Sequence, residues 1–359
     1  MRIALLSYST KPRGGVVHTL ALAEALAEAG QDVTVWTLGR GGDAAFFRPV
    51  DPRVRLSIVP LPGRDGEGVG PRILRSIAVL RDAFTPGEYD IVHAQDCISA
   101  NAVERCVRTV HHLDTFTTPE LAACHERAIV RPYAHVCVSA AVAEEVERGW
   151  GIRPTVIPNG VDADRFARAA ADTAAIARWR DRLGRYVLAV GGIEPRKGTL
   201  DLLEAYARLR DTDPELRLVI AGGETLFDYR DYRERFDKRA AELGADPVVL
   251  GPVPHDELPA LVAGAGAFAF PSTKEGFGLA AMEALAAGVP LVTRELPVLR
   301  EVFGDVARFS STPEGFAAEL RAALTGDDPE RRAAGRALAA RYTWRAAADA
   351  HLRLYRSLV

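Results

Sequence analysis

Apolar and polar residues follow two different rhythms along the chain of 359 residues, and the two rhythms alternate. Short apolar runs, typical of buried strands, are followed by longer stretches in which apolar residues recur every three or four positions, as on a helix face. The first half has such runs at residues 3–7, 33–38, 54–60, 91–94, 109–111, 135–139 and 155–157. Strands that alternate with helices predict an α/β fold, in which helices cover both faces of a parallel sheet.

The same alternation restarts in the second half, with apolar runs at residues 186–190, 216–221, 248–250, 267–270 and 291–293. A repeated pattern in a chain of this length predicts two doubly wound domains in series, which we divide between residues 163 and 164. Open parallel sheets bind ligands beyond the carboxyl ends of their strands, and a cleft between two such domains is the natural site. We therefore expect the functional residues in the loops that follow the strands.

The segment P-S-T-K-E-G-F-G-L-A-A-M-E-A-L-A-A-G-V-P, Pro271 to Pro290, carries the clearest chemical signal. It follows the apolar run at 267–270 and enters a predicted helix at 278–287, which Gly288 and Pro290 end. A glycine-containing loop between a strand and a helix exposes backbone N–H groups and the positive end of the helix dipole. The segment therefore predicts an anion site, for which phosphate is the usual ligand.

Two glutamates flank this site, Glu275 in the loop and Glu283 in the helix. Glu283 is the only charged residue between Gly276 and Arg294. Its apolar neighbours predict a buried helix, so its carboxylate needs a partner. The vicinal hydroxyls of a sugar are one such partner, and an arginine or lysine in a buried ion pair is the alternative. For Glu275, the alternative to a ligand contact is a favourable charge beside the helix N-terminus.

The sequence E-G-F-G-L-A-A-M-E, Glu275 to Glu283, resembles the paired-glutamate motif of the retaining glycosyltransferases of family 4. The resemblance implies the GT-B fold, with two Rossmann-like domains facing each other across a cleft. It also implies that Glu275 contacts the donor sugar and that Glu283 binds the ribose of a nucleotide. The backbone amides between the two glutamates are implied to hold the distal phosphate, namely those of Gly276, Phe277, Gly278 and Leu279.

Two segments of the first half agree with this family. The loop K-P-R-G-G contains Gly14 and Gly15, where the family has a glycine pair that lets a ligand approach the backbone. A tight strand-to-helix turn is the alternative, and His18 beyond it is interpreted as structural. The strand V-R-T-V is followed by His111, which aligns with the family histidine that contacts the donor sugar near the reacting carbon. His112 is the alternative for this role.

The resemblance also divides the chain by function. The linker V-I-P-N-G-V-D-A-D-R-F, Val156 to Phe166, is characteristic of the family and receives no catalytic role. Residues 1–163 are implied to bind the acceptor, and residues 164–342 the nucleotide sugar. The last helix, at 343–359, is implied to return to the first domain.

A second phosphate loop follows the strand that opens the second domain, in Y-V-L-A-V-G-G-I-E-P-R-K-G. Arg196 and Lys197 are suited to neutralising a pyrophosphate. The family segment reads G-R-x-x-x-x-K-G, so Lys197 matches its lysine while Gly192 replaces its arginine. We hypothesise that Arg196 supplies the missing charge; the alternative is that Arg196 pairs with a carboxylate such as Glu194. Further on, the loop V-V-L-G-P-V-P is expected to contact the base through its backbone at Val253.

Composition excludes several classes of protein. The chain has 48% hydrophobic and 26% charged residues, as a soluble globular protein does, and its net charge of -3 argues against a nucleic-acid partner. No apolar run approaches the about 20 residues of a membrane span, so we expect a cytoplasmic protein. Neither an Asp-x-Asp nor a His/Cys grouping occurs near the phosphate loops. We therefore expect no metal and no cofactor beyond the donor substrate.

The region from residue 61 to residue 84 is the least specific part of the first domain. Its glycine-rich run L-P-G-R-D-G-E-G-V-G-P is either a loop that closes over an acceptor or a solvated surface loop. A helix is predicted at 71–84, with apolar residues on one face and arginines mostly opposite. We interpret it as packed on the core; a weak peripheral contact with a membrane is the alternative.

The sequence thus predicts a metal-independent retaining glycosyltransferase with His111, Glu275 and Lys197 as catalytic residues. The expected partners are a nucleotide-sugar donor and a small-molecule, glycan or lipid-linked acceptor. Because Gly192 replaces an arginine, the alternative is a catalytically weakened protein that binds a nucleotide sugar or phosphosugar. A sugar-phosphate epimerase or a phosphorylase on a similar fold is a further alternative.

Overall fold

The computed structural model describes residues 1–113, 118–223 and 229–359. The chain divides into two compact units. The first unit comprises residues 1–160 together with 342–359, and the second comprises residues 161–341. Each unit is built on one parallel sheet.

The sheet of the first unit has seven strands in the order β3-β2-β1-β4-β5-β6-β7. Its strand order reverses between β1 and β4, which is where doubly wound sheets form a ligand crevice. The strands are β1 (Arg2–Leu6), β2 (Asp32–Arg40), β3 (Arg55–Leu61), β4 (Ile91–Ala94), β5 (Val107–Val110), β6 (Ala134–Cys137) and β7 (Thr155–Val156). The helices between them are α1 (Gly14–Glu28), α2 (Val69–Ala83), α3 (Cys97–Ala102), α4 (Pro119–Val130) and α5 (Ala140–Trp150).

The sheet of the second unit has six strands in the order β10-β9-β8-β11-β12-β13, and it reverses between β8 and β11. The strands are β8 (Tyr186–Val190), β9 (Arg217–Ala221), β10 (Val248–Gly251), β11 (Ala267–Phe270), β12 (Leu291–Arg294) and β13 (Arg308–Ser310). The helices are α6 (Ala163–Ala171), α7 (Thr173–Leu183), α8 (Thr199–Arg210), α9 (Arg230–Glu242), α10 (Leu258–Gly264), α11 (Leu279–Ala286), α12 (Pro297–Phe303), α13 (Pro313–Thr325) and α14 (Pro329–Arg341).

The last helix, α15 (Trp344–Arg356), packs into the core of the first unit. Its buried residues Ala348, Leu352 and Tyr355 join the core cluster of α1 and the central strands. A β-carbon on Gly160 would lie 2.3 Å from the backbone nitrogen of Trp344. Only glycine fits at this position, because the linker backbone lies directly against the start of α15.

Strand ends differ from the sequence predictions where a polar side chain begins the next element. The run at 135–139 was predicted as one strand, yet β6 ends at Cys137. Ser139 caps α5 instead, since its hydroxyl accepts a hydrogen bond from the Val142 backbone at 3.3 Å. β13, whose sequence is R-F-S, was not predicted. Within the described residues, no helix is both long and apolar enough to cross a membrane.

Candidate active site

The loop between β11 and α11 places the N-terminus of α11 beside the carboxyl edge of the second sheet. Gly278, the residue before α11, has a φ of 93°, and a β-carbon there would lie 3.0 Å from the Phe303 ring and 3.2 Å from the Phe270 ring. Glycine is therefore required for the chain to turn into the helix. In the described part of the chain, no side chain caps α11. Its first N–H groups are thus available to an anion, as the sequence of this loop predicted.

The loop between β8 and α8 packs directly on this first loop. The Thr273 backbone N–H donates to the Arg196 carbonyl at 2.8 Å. A β-carbon on Gly198, whose φ is 62°, would lie 2.2 Å from the Pro271 carbonyl oxygen. These contacts hold the two loops together at the point where the strand order reverses.

The two loops bring Lys197, Arg196 and Glu275 together. Lys197 and Glu275 are two of the three residues for which a catalytic role is predicted. Lys197 Nζ lies 2.5 Å from Glu275 Oε1, and Arg196 Nη1 lies 3.1 Å from the same oxygen. Burial is the main cause that lowers the pKa of Lys197 from its usual range, while the charge of Glu275 acts in the opposite direction. The charges are therefore close together and poorly solvated, so their Coulomb interactions are strong.

Arg196 also contacts the carboxylate that the sequence named as its alternative partner. Its Nη2 lies 3.0 Å from Glu194 Oε1, and the Glu194 side chain is only 8% exposed. Arg196 thus bridges Glu194 and Glu275. The pairing with Glu194 that the sequence named as the alternative is formed, and the role of Arg196 at a pyrophosphate stays a prediction.

Glu283 lies on α11, one helical turn beyond these loops. Burial raises its pKa to about 7, with Arg165 favouring the charged form and Asp162 opposing it. The Glu283 side chain forms no hydrogen bond or ion pair with another residue of the described ranges. The predicted alternative of a buried ion pair is therefore not formed there.

Val253, the predicted base contact, is half-buried in the loop that follows β10.

In the first unit, His111 lies over the glycine pair at the start of α1. A β-carbon on Gly15 would be 3.7 Å from His111 Cδ2 and Nε2, so the ring packs on the glycine backbone. β5 ends at Val110, and His111 is the first residue after the strand rather than its last. Its Nε2 is buried and has no hydrogen-bond partner within the described ranges. Burial, helped by His18 and Arg108, holds the pKa of His111 well below its usual value.

His111 is the outermost member of a group of four histidines, which we call the histidine cluster: His18, His93, His111 and His351. The rings of His18 and His111 meet edge to face at 4.7 Å, and the rings of His93 and His351 are 5.7 Å apart. Burial lowers the pKa of His18 to about 3 and that of His351 to about 4. The cluster members are therefore neutral at physiological pH.

Sequence reasoning missed the supports of this cluster. His18 Nδ1 donates to Asn159 Oδ1 at 2.8 Å, and His93 hydrogen-bonds the Tyr355 hydroxyl at 2.6 Å. Asn159 belongs to the linker that received no catalytic role, and Tyr355 belongs to the last helix. Neither position carries a local signal for such a contact. Among the residues that the structure describes, no group of three or more His, Cys, Asp or Glu is arranged to hold a metal ion.

Comparisons with known proteins match both halves of the chain. Residues 12–165 match the model of Glycosyltransferase Family 4, and residues 180–339 match that of Glycosyl transferases group 1. A D-inositol 3-phosphate glycosyltransferase of Salinispora arenicola is 33% identical over an alignment of 343 positions, and the match covers 81% of this chain and 76% of the relative. A phosphatidyl-myo-inositol mannosyltransferase of Mycolicibacterium smegmatis is 28% identical over 391 residues, covering 100% of this chain and 94% of the relative.

The fold also matches solved structures. The crystal structure of Anabaena HepE in complex with UDP and glucose aligns with a TM-score of 0.75 at 18% identity, and the match covers 100% of both chains. At this identity the likeness concerns the fold alone, and that fold consists of two parallel-sheet α/β units. The chain therefore belongs to the family 4 glycosyltransferases, enzymes of the GT-B fold.

Proposed function

We propose that this glycosyltransferase moves a sugar from a nucleoside-diphosphate sugar to an acceptor hydroxyl, with retention at the anomeric carbon and without a metal ion. The observation that carries the proposal is the convergence of Lys197, Arg196 and Glu275 beside the uncapped N-terminus of α11. A departing nucleoside diphosphate develops negative charge. Two cations and a set of fixed N–H groups stabilise that charge in a poorly hydrated site.

In this proposal Glu275 changes partners when the donor binds. In the structure its Oε1 lies within 3.1 Å of Arg196 Nη1 and within 2.5 Å of Lys197 Nζ. A diphosphate brings more negative charge than one carboxylate, so it competes for both cations. Glu275 is then released to accept hydrogen bonds from the donor sugar, and the amides of Gly276, Phe277, Gly278 and Leu279 bind the distal phosphate.

The proton of the acceptor hydroxyl passes to the donor phosphate as the bond to the sugar breaks. Retaining glycosidases instead use a carboxylate nucleophile together with a second carboxyl group nearby. In this proposal Glu275 contacts hydroxyl groups of the donor sugar, so it serves neither as the nucleophile nor as the base. We assign acceptor binding to the first unit, and contacts with substrate to its residues Gly14, Gly15 and His111.

The relatives support this choice of substrates. The names of two of them specify acceptors that contain inositol, in one case as a phosphate and in the other as a phospholipid. The HepE complex contains UDP and glucose, the two parts of a nucleotide sugar. We therefore assign a nucleotide-sugar donor and a polyhydroxyl acceptor to this chain.

Incubation with a panel of nucleotide sugars, each with and without candidate polyol acceptors, tests the proposal. The expected result is release of nucleoside diphosphate from one donor and an acceptor-dependent rise in rate. Tight binding of a donor with no turnover on any acceptor would instead favour a nucleotide-sugar-binding protein. Gly192 stands where the family has an arginine, and this difference is the reason for considering the second function.

Glu283→Gln is expected to weaken nucleoside diphosphate binding by about 1 to 3 kcal/mol at pH 8, the value of a hydrogen bond to a charged group. Because the pKa of Glu283 is about 7, the wild-type carboxylate becomes fully charged only above that value. The ratio of wild-type affinity to variant affinity should therefore rise from pH 6 to pH 8, since ionisation of the diphosphate itself affects both proteins alike. Calorimetric titration of the diphosphate and of its 2′,3′-dideoxy analogue measures both effects. A variant that prefers the full ribose as strongly as wild type would refute the assignment.

His111→Ala is expected to lower kcat more than it raises KM for the donor. The reason is that His111 is placed at the sugar, where interactions strengthen in the transition state. Its neighbour His112, the alternative for this role, provides the matched control in His112→Ala. Steady-state kinetics at saturating acceptor separates the two parameters. Normal turnover with a raised KM in His111→Ala, or a larger kcat loss in His112→Ala, would show that the role is misassigned.

A further inference from the structure

Packing contacts orient the imidazole of His111, the residue to which we assign contact with the donor sugar. Its Nε2 is buried and has no hydrogen-bond partner within the described ranges. One side of the ring lies against the backbone of Gly15, where a β-carbon would be 3.7 Å from Cδ2 and Nε2. The ring of His18 meets it at 4.7 Å, with an angle of 79° between the two planes. Because the χ2 torsion of an imidazole is broad, such a ring needs fixed neighbours to keep one orientation.

Gly15 and His18 support this ring from the same face of α1. They are three positions apart in the helix, so they are neighbours on its surface. Gly15 has no side chain and only limits how closely His111 can approach. His18 presents an aromatic edge or face to His111, and which of the two it presents depends on its own rotation. The orientation of His111 therefore depends on that of His18.

A buried hydrogen bond fixes His18. Its Nδ1 lies 2.8 Å from Asn159 Oδ1, and the two residues are only 1% and 4% exposed. An amide oxygen only accepts hydrogen bonds, so Nδ1 carries the proton of the neutral imidazole. Burial lowers the pKa of His18 to about 3, so the ring remains neutral at physiological pH. The hydrogen bond therefore sets both the rotation and the tautomer of His18.

Asn159 is held in turn by the start of the last helix. A β-carbon on the next residue, Gly160, would lie 2.3 Å from the backbone nitrogen of Trp344, so the linker backbone has no room to shift there. The Trp344 ring also packs against the His18 ring, at 5.3 Å and an angle of 76°. Packed contacts therefore connect the linker, His18 and His111.

We infer that His18 and Asn159 are positioning residues, which hold the imidazole of His111 in the orientation that contacts the donor sugar. This inference rests on the role of His111 in the proposed function. His18 and Asn159 act without touching substrate, since both are almost fully buried. His18, which the sequence pattern indicated to be structural, thereby acts on the reaction through His111.

Stability alone does not account for the hydrogen-bonded pair. A neutral hydrogen bond contributes less to stability than full burial of a leucine or phenylalanine side chain, which would need no acceptor in the linker. In addition, His18 Nε2 is buried and finds no hydrogen-bond partner in the described part of the chain, which is unfavourable. What the pair provides is direction, because a hydrogen bond restricts the rotation of a ring more than an apolar contact does.

Steady-state kinetics of Asn159→Ala and His18→Leu tests the inference. The first change removes the acceptor of the hydrogen bond, and the second removes the ring that meets His111. We expect each to lower kcat by at least about tenfold, because a displacement of about 1 Å near the reacting atoms can cost about 100-fold. KM for the donor should stay within about twofold of wild type, since the nucleotide contacts are unchanged.

Two variants serve as controls. Asn159→Asp keeps an oxygen that accepts from His18 Nδ1, so it should retain most of kcat. Tyr355→Phe removes a hydrogen bond of the same kind elsewhere in the histidine cluster, the one of 2.6 Å to His93. It should lower stability and leave kcat unchanged. Thermal unfolding of every variant establishes that it is folded.

A double-mutant cycle shows whether the two residues act through His111. In the His111→Ala background, His18→Leu and Asn159→Ala should lower kcat no further, because no ring is left to orient. Losses that multiply would show that the two residues act independently of His111, and the inference would be wrong. If folded His18→Leu and Asn159→Ala keep wild-type kcat while His111→Ala does not, the inference fails and the proposed function stands. Normal kcat in His111→Ala would refute the role of His111 and the inference with it.

Imidazole 13C NMR of protein labelled at histidine tests the positioning without turnover. The chain has eight histidines, few enough to assign by single substitutions. Asn159→Ala should shift the ring signals of both His18 and His111, whereas Tyr355→Phe should shift those of His93 and leave His111 unchanged. An unchanged His111 signal in Asn159→Ala would overturn the inference, whether or not a donor has been identified.

Discussion

Lys197→Ala is expected to lower kcat/KM by at least about 100-fold, the cost of removing one fixed donor from a site that stabilises developing charge. The lysine side chain is 18% exposed, and its ammonium lies 2.5 Å from Glu275. Water is therefore a poor substitute for it when the diphosphate departs. Initial rates of nucleoside diphosphate release, measured over a range of donor concentrations, give this ratio directly.

Arg196→Ala provides the comparison within the same loop. The Arg196 side chain is 28% exposed, and its charge is divided between Glu194 and Glu275. We therefore expect a smaller loss in kcat/KM of about tenfold, equivalent to about 1.4 kcal/mol. Gly192→Arg, added to Arg196→Ala, should restore part of that loss by returning the family arginine. Lys238→Ala, on the exposed face of α9, is the control for loss of a charge alone.

Two outcomes would change the assignment. If kcat/KM of Arg196→Ala stays within about twofold of wild type while Lys197→Ala abolishes turnover, then Lys197 and the α11 amides alone stabilise the phosphate charge. If Lys197→Ala itself retains most of the activity, the convergence of the two loops is structural, and the proposed leaving-group site is wrong.

Acidification from pH 7 to pH 5 is expected to cost the first unit about 4 kcal/mol of stability through His18 and His351 alone. In the folded protein their pKa values are about 3 and about 4, whereas an unfolded histidine titrates near 6.5. Their contribution to stability is complete above pH 6.5. It is lost as the pH falls below that value, because only the unfolded chain then takes up the protons.

Urea unfolding at a series of pH values, followed by circular dichroism, measures this loss. His351→Gln should lower stability at pH 7 but reduce the decline towards pH 5 to about half, since one of the two buried imidazoles is gone. His18→Gln should act similarly. If the free energy of unfolding falls with pH as steeply in both variants as in wild type, groups outside the histidine cluster cause the loss of stability in acid.

The secondary structure could be predicted from the sequence because both sheets are parallel and buried. Their central strands are rich in apolar residues, and every predicted run overlaps one of the strands β1 to β12. The exception is β13, which pairs only with β12 and whose residues Arg308 and Ser310 are polar. The exact strand ends also differed, as at Ser139, because competing side-chain caps are decided by single hydrogen bonds.

The phosphate loops could likewise be predicted, because a strand, its following loop and its helix are continuous in sequence. Gly278 indicates the turn into α11, and Glu275 and Lys197 indicate charged groups near a helix N-terminus. The short distance between Lys197 and Glu275 was not predictable from the sequence pattern, because the two residues are 78 positions apart. It depends on β8 and β11 being neighbours, which the crossover connections of the sheet determine.

What the sequence by itself determined is therefore the alternation of elements, the glycines that turn strands into helices, and the chemical groups in each loop. The tertiary structure alone decided which of those groups meet. His18 and Asn159 are 141 residues apart, and His93 and Tyr355 are 262 apart. No local pattern encodes these contacts, because a polar side chain in an apolar segment finds its partner only after strand order and the return of α15 have brought distant segments together.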